Sequence, residues 1–157
     1  MKADRVWKIC VVTICIIAFC IAYLILNPYA KKILTVYNFE NDIESMQTIV
    51  QEWESFDYSY MFIDRTRYDQ NTIGVGYEPN DNITVSNGKE CFGYLLANKK
   101  YRYIMKDDNA VYFTRYSSLG NGYGVAFSMD GNKPKNEFII SIEPLDNHNG
   151  WFFYTMR

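Results

Sequence analysis

Imidazole and thiol side chains are scarce in this chain of 157 residues. It has a single histidine, His148, and of its four cysteines only Cys91 lies beyond residue 20. A Ser-His or Cys-His nucleophilic site would have to use His148, which falls in the turn-like stretch DNHNG. Because a zinc site needs several cysteine or histidine ligands, these two residues are too few. We therefore expect no metal site and no cofactor, and we favour a protein that is not an enzyme.

Basic residues are also in short supply after Lys32, where the chain holds 17 acidic and 11 basic residues. The stretch 40–57 carries six of the acids and no base. Because nucleic-acid phosphates favour a basic surface, we expect no nucleic-acid partner. Cys91 has no second cysteine to pair with in this part of the chain, so no disulfide is expected within it.

One hydrophobic run stands out, WKICVVTICIIAFCIAYLIL over 7–26, in which Lys8 is the only charged residue. Twenty residues of helix rise about 30 Å, which matches the hydrocarbon core of a bilayer. The run therefore predicts a transmembrane helix with the lipid bilayer as its partner. It is longer than the about 7–15 apolar residues of a cleaved signal peptide, so we expect a retained signal anchor.

The charges that flank this run predict an orientation. Lys2 and Arg5 precede it and Lys8 lies at its N-terminal edge, whereas Lys31 and Lys32 follow it. By the positive-inside rule this small excess favours a cytoplasmic N-terminus. We therefore expect a single-pass protein of the cell membrane with a cytoplasmic tail at 1–6, a connector at 27–37 and a domain over 38–157 outside.

The predicted domain begins with an amphipathic helix. In NFENDIESMQTIVQEWESF, which starts at Asn38, apolar residues recur every three or four positions and form one stripe. The carboxylates of Glu52, Glu54 and Asp57 lie at the helix end that the dipole makes unfavourable for them, unless a partner neutralises them. These three acids are candidate binding residues. A second, shorter helix is predicted in SNGKECFGYLLANKK.

Most of the remaining chain alternates short β-prone runs with turns rich in Asp, Asn and Gly. These runs are YSYMFID, TIGVGY, YRYIMK, AVYFTRY, YGVAFSM, EFIISIE and WFFYTM. In AVYFTRY, alternation separates Val111 and Phe113 from Tyr112 and Thr114. The predicted class is α+β, an antiparallel sheet covered by one long amphipathic helix, with a second short helix.

Tyrosine is abundant, with 14 residues, and a small domain cannot bury them all. Tyrosine combines a large apolar area with a polar tip and suits contact with proteins or glycans. Tyr112, Tyr116 and Tyr123 are therefore candidate binding residues alongside the three acids.

Several segments resemble one known group of proteins. They are FENDIESMQTIVQEW, MFID, LLANKKYRYIMKDDNAVYFTRY, GYGVAFSMDGNKP, IISIEPL and GWFFYTM, and together they span about 39–156. In this order they resemble small single-pass membrane-anchored proteins of clostridial-type Gram-positive bacteria. The resemblance implies a bacterial accessory protein. That group has no assigned activity, so no catalytic residue carries over from it.

The leading functional hypothesis is a non-enzymatic, membrane-tethered, extracytoplasmic domain that contacts another membrane or envelope protein. The first alternative is a hydrolase of envelope glycans, which needs two suitably spaced carboxylates. Glu143, in the stretch ISIEPL, is its best candidate acid. The second alternative is an immunity-type protein that occludes a secreted toxin, which fits a small domain with an acidic helix.

Overall fold

A computed structural model describes the backbone of residues 2–26, 28–76, 81–84, 88–99, 101–116 and 121–157. Side chains are described at 7, 9–23, 32–76, 81–84, 88–99, 101–115 and 121–157. The chain divides into two units, Met1–Leu34 and Thr35–Arg157.

The first unit is helical and contains α1, Lys2–Leu26. Among the residues that the structure describes, no helix combines the length and the apolar character needed to cross a membrane. The predicted transmembrane helix over 7–26 is therefore wrong. The single-pass signal anchor and the cell-membrane localisation with an external domain are wrong with it.

Helix α2, Pro28–Glu54, starts ten residues before Asn38, the first residue of the predicted helical stretch. Proline is tolerated at a helix start because its missing N–H would have no partner there. The predicted connector at 27–37 is therefore helical over 28–37. From residue 35 onward the predicted apolar stripe is buried, with Phe39, Met46, Ile49, Val50 and Trp53 at 3% exposure or less.

In the part of the chain that the structure describes, eight strands follow α2 in one antiparallel sheet. They are β1 Met61–Asp64, β2 Thr72–Val75, β3 Asp81–Thr84, β4 Tyr103–Lys106, β5 Ala110–Tyr116, β6 Gly122–Ser128, β7 Ile139–Pro144 and β8 Trp151–Met156. Their order across the sheet is β3-β2-β1-β4-β5-β6-β8-β7. The predicted α+β class and antiparallel sheet are confirmed, whereas the polar edge strand β3 was not predicted.

Between the strands, the described residues include two short helical segments. Helix α3, Arg65–Asp69, joins β1 to β2 and is capped at its start by Asp64, whose side chain accepts from the Arg67 N–H. Helix α4, Lys89–Gly93, runs into a π-helical turn, Tyr94–Asn98, and matches the predicted second helix. Helix α3 was not predicted, because five residues are too few to show helical periodicity.

The two faces of the sheet differ in what covers them. The buried side chains of α2 form one core with alternate strand residues such as Val111 and Phe113. The opposite face carries a second cluster built around Tyr112, Tyr154 and Met156. The hydroxyl of Tyr103 on β4 lies 3.3 Å from Met156 Sδ on β8, although β5 and β6 separate their strands. The sheet therefore curls toward this second face, which we call the concave face.

Two tyrosines of the concave face differ in how their hydroxyls are satisfied. The Tyr154 hydroxyl lies 2.5 Å from Thr114 Oγ1. The Tyr112 hydroxyl is buried and has no hydrogen-bond partner among the described residues. The two rings meet edge to face with centroids 5.6 Å apart.

Tyr112→Phe is therefore expected to leave the free energy of unfolding unchanged or to raise it by about 1 kcal/mol, because it removes an unpaired buried hydroxyl. Tyr154→Phe is the matched control and is expected to lower it by about 1–3 kcal/mol, since it leaves the Thr114 hydroxyl buried without its partner. Urea unfolding followed by circular dichroism measures both. Equal destabilisation by the two substitutions would contradict the assignment.

Candidate ligand-binding cleft

A cleft of about 880 Å³ opens on the concave face of the sheet. This volume falls within the range of about 300–1,000 Å³ that small-ligand sites occupy. Its wall is formed by β1, β2, β4, the β4–β5 turn and the segment before β7. The lining residues are Tyr60, Phe62, Arg67, Gly74, Gly76, Met105, Asp107, Asp108, Asn109, Lys135, Asn136, Glu137 and Phe138.

The floor of the cleft is apolar and follows from strand register. Phe62 on β1 lies opposite Gly74 on β2 and opposite Met105 on β4, so these three residues share one face. The Phe62 ring also packs against Tyr103, with centroids 5.4 Å apart. Because Gly74 has no side chain, it leaves space above β2 for the side chain of Arg67.

Arg67 projects its guanidinium into this cleft from α3. A Cβ at position 74 would lie only 3.0 Å from the guanidinium carbon, so the group rests directly on the glycine backbone. Its Nη1 donates to Asn82 Oδ1 at 2.5 Å. Its guanidinium carbon lies 6.0 Å from the centroid of the Phe62 ring, within the range of a cation–π contact. Arg67 is therefore held in a defined position and half-buried.

The opposite end of the cleft is polar and is organised by Asp107. One of its carboxylate oxygens accepts from the backbone N–H groups of Asn109 and Ala110 at 3.3 and 3.1 Å. The other accepts from the side chain of Asn136 at 3.4 Å. These bonds tie the β4–β5 turn to the segment before β7. Asp108 and Glu137, by contrast, are exposed at the rim.

The acidic candidate residues lie elsewhere, at the end of α2. Glu54 and Asp57 are exposed beside Lys106, whose Nζ donates to the carbonyl oxygens of Trp53 and Phe56 at 2.8 and 2.9 Å. Burial lowers the pKa of Lys106, while the charges of Glu54 and Asp57 raise it. The group that offsets the unfavourable charge at this helix end thus comes from β4 of the same chain.

The third acidic candidate, Glu52, and the candidate tyrosines do not share the exposed surface of Glu54 and Asp57. Glu52 is half-buried, and one of its oxygens would touch a Cβ at Gly88. Tyr112 is buried on the concave face, whereas Tyr123 is half-buried on the side of the sheet that packs against α2. The side chain of Tyr116 lies outside the described residues. The five described candidates therefore do not form one surface.

The chemically reactive residues of the sequence have structural contacts. His148 is half-buried, and its Nε2 donates to Glu40 Oε1 at 2.7 Å. Its ring meets the Phe39 ring edge to face with centroids 4.9 Å apart. It therefore ties the β7–β8 turn to α2. Glu143 is exposed on β7 and outside the cleft. Within the described residues, no three His, Cys, Asp or Glu side chains are grouped closely enough to hold a metal ion.

Sequence reasoning missed Arg67 and Phe62 as site residues. Phe62 lay within a predicted strand, but its face could not be assigned without knowing which side α2 covers. Arg67 gave no signal, because its role depends on Gly74 and Asn82, which meet it only through strand pairing.

The fold and the cleft define a class of protein, an α+β domain with a ligand-sized depression on the concave face of an antiparallel sheet. Comparison of the chain with protein-family models, with curated proteins and with solved structures found no match.

Proposed function

We propose that the unit Thr35–Arg157 is a non-enzymatic binding domain that holds its ligand in the cleft of the concave face. One observation carries this proposal: a ligand-sized cleft combines an apolar floor with a fixed guanidinium. Apolar walls with a few well-placed polar groups are what ligand sites generally offer. The ligand in this proposal is a segment of another protein, in line with the interaction role that the sequence suggested.

The arrangement of acids favours binding over hydrolysis. Both carboxylate oxygens of Asp107 accept hydrogen bonds, one from the β4–β5 turn and the other from Asn136, so this residue has a structural role. The one specific observation that favours a glycan hydrolase is that two further acids, Asp108 and Glu137, line the same cleft. A hydrolase would need both of them, one as acid and one as base or nucleophile. The immunity-type hypothesis is a special case of the binding proposal, with a toxin as the ligand.

Titration of the isotope-labelled full chain with panels of short peptides and oligosaccharides tests the proposal by NMR. We expect a peptide to shift the amide signals of Gly74, Gly76 and Asn109 while it stays chemically intact. Phe62→Ala should weaken its binding about tenfold or more, because a fully engaged aromatic contact contributes over 1 kcal/mol.

The matched control is Tyr58→Ala, which removes an exposed aromatic ring outside the cleft and should change the affinity less than twofold. Shifts that map elsewhere on the domain would contradict the proposal. Cleavage of an oligosaccharide that is lost in Asp108→Asn or Glu137→Gln would replace it with the hydrolase.

A further inference from the structure

We propose that Arg67 binds the terminal carboxylate of an apolar peptide, and that this carboxylate decides which segments enter the cleft. The inference rests on the proposed binding function and adds the chemical class of the ligand. It is carried by three observations: the guanidinium is fixed, it lacks an acidic partner among the described residues, and the two ends of the cleft differ in charge.

The first observation is pre-organisation. Three contacts hold Arg67 before any ligand arrives: the capping bond from its backbone N–H to Asp64 Oδ1 at 2.9 Å, the bond to Asn82, and the seat on Gly74. Arginine presents five donors in a planar fork that matches a carboxylate in two-point contact. A fork that is already fixed loses little side-chain entropy on binding, which favours affinity.

The second observation concerns the charge of Arg67. Two other arginines of the domain have acidic partners: Arg65 lies 3.6 Å from Asp69, and Arg115 lies 3.4 Å from Asp42. Arg67 makes no such ion pair with any described residue, although it is half-buried and lines an apolar wall. An anionic ligand would supply the ion-pair partner that this partly desolvated cation lacks.

The third observation fixes the kind of anion. Beyond the apolar floor of Phe62 and Met105, the far rim presents the exposed acids Asp108 and Glu137, which accept hydrogen bonds. One exposed cation, Lys135, lies on the same rim, but the acids outnumber it, so the net charge of this end is negative and repels anions. A ligand that fits both ends has a carboxylate at one end, an apolar side chain next to it, and N–H donors behind. The C-terminus of a peptide that ends in an apolar residue has these features. An alkyl carboxylate lacks the donors.

The experiment compares N-acetyl-Ala-Ala-Phe as the free acid with the same peptide as its C-terminal amide, by calorimetry on the full chain. We expect the acid to bind about ten- to a hundredfold more tightly than the amide, the range of a charge-assisted hydrogen-bond pair. Arg67→Gln should abolish this preference. Arg65→Gln, which removes an exposed arginine two residues away on the same helix, should retain it.

A second variant guards against a folding defect in Arg67→Gln. Gly74→Ala keeps the charge, but its Cβ forces the guanidinium to move, so the preference for the acid should shrink while the circular dichroism spectrum stays unchanged. Equal binding of acid and amide to the wild-type chain would overturn the carboxylate inference and leave the binding function standing. Octanoate that binds as tightly as the peptide acid would overturn the peptide assignment. Absence of binding by every probe in the peptide panel would defeat the proposed function itself.

Discussion

Replacing Asp42 with asparagine is expected to lower the free energy of unfolding of the domain by about 3–5 kcal/mol. Asp42 is fully buried on α2 and meets Lys99 Nζ at 3.5 Å and Arg115 Nη2 at 3.4 Å. It also accepts a hydrogen bond from the hydroxyl of Tyr101 at 3.1 Å. Removal of its charge would leave Arg115, which is largely buried, without compensation, and that is the costly way to break an ion pair.

The same cluster explains how α2 is fixed to the sheet. The Arg115 guanidinium stacks on the Tyr101 ring, with its carbon 4.1 Å from the centroid. Arg115 from β5 and Tyr101 from the loop before β4 therefore both contact the carboxylate of Asp42 on α2. The cost is measured as the shift in urea midpoint between the wild-type chain and Asp42→Asn. Glu44→Gln, an exposed acid on the same helix, is the control and should change the free energy by less than about 0.5 kcal/mol. A loss below about 1 kcal/mol in Asp42→Asn would show that the cluster contributes little.

The domain is expected to unfold steeply in alkali. Burial is the main cause that raises the pKa of Tyr101, Tyr112 and Tyr154 above the ordinary tyrosine value of about 10. The negative charge of Asp107 raises the pKa of Tyr112 further, whereas the guanidinium of Arg115 partly offsets the effect of burial on Tyr101. All three hydroxyls therefore keep their protons in the native state at a pH where the unfolded chain has lost them.

The sign of the pH dependence follows from these directions. Below a pH of about 10 both states are protonated and the stability from these groups is present in full. Above it the native state binds more protons than the unfolded state, so the free energy of unfolding falls with pH by about 1.4 kcal/mol per pH unit for each tyrosine, or about 4 for the three. The lowered pKa of Lys106 acts in the opposite direction, but only below the unfolded lysine value of about 10.5, so it does not offset the loss of stability at higher pH.

Unfolding by urea at a series of pH values measures this slope, and tyrosinate absorbance reports ionisation directly. We expect the absorbance of the three buried tyrosines to rise only together with loss of the native circular dichroism. Tyr112→Phe should reduce the slope by about one third. Smooth ionisation of all tyrosines in a chain that stays folded would contradict the prediction.

The concave cleft depends on this rigid framework. The Thr114–Tyr154 bond and the edge-to-face pair of Tyr112 and Tyr154 fix the curl of the sheet beneath the cleft. The Asp107 bonds fix its polar rim. A ligand therefore meets a surface whose shape is largely set before binding, which lowers the entropic cost of association.

Local sequence pattern was enough to indicate the strands and the covering helix. The alternation in β5 assigned Val111 and Phe113 to one face and Tyr112 to the other, because side chains in a strand alternate with a period of two. The apolar stripe of α2 could be read because residues three and four apart share a helix face. Asp42 entered the prediction only as one of the six acids of the stretch 40–57, although it falls three residues after Phe39 and four before Met46, on the buried stripe.

The sequence by itself thus determined the α+β class, the antiparallel pairing and most strand positions, since these depend on periodicities within a few residues. Hydropathy alone also suggested a membrane-spanning helix, which the described helices do not bear out. Only the tertiary structure decided which acid is buried, which lysine completes the end of α2, and where Arg67 meets Gly74. Those outcomes depend on residues far apart in the chain, and the curl of the sheet brings them together through contacts that no local pattern encodes.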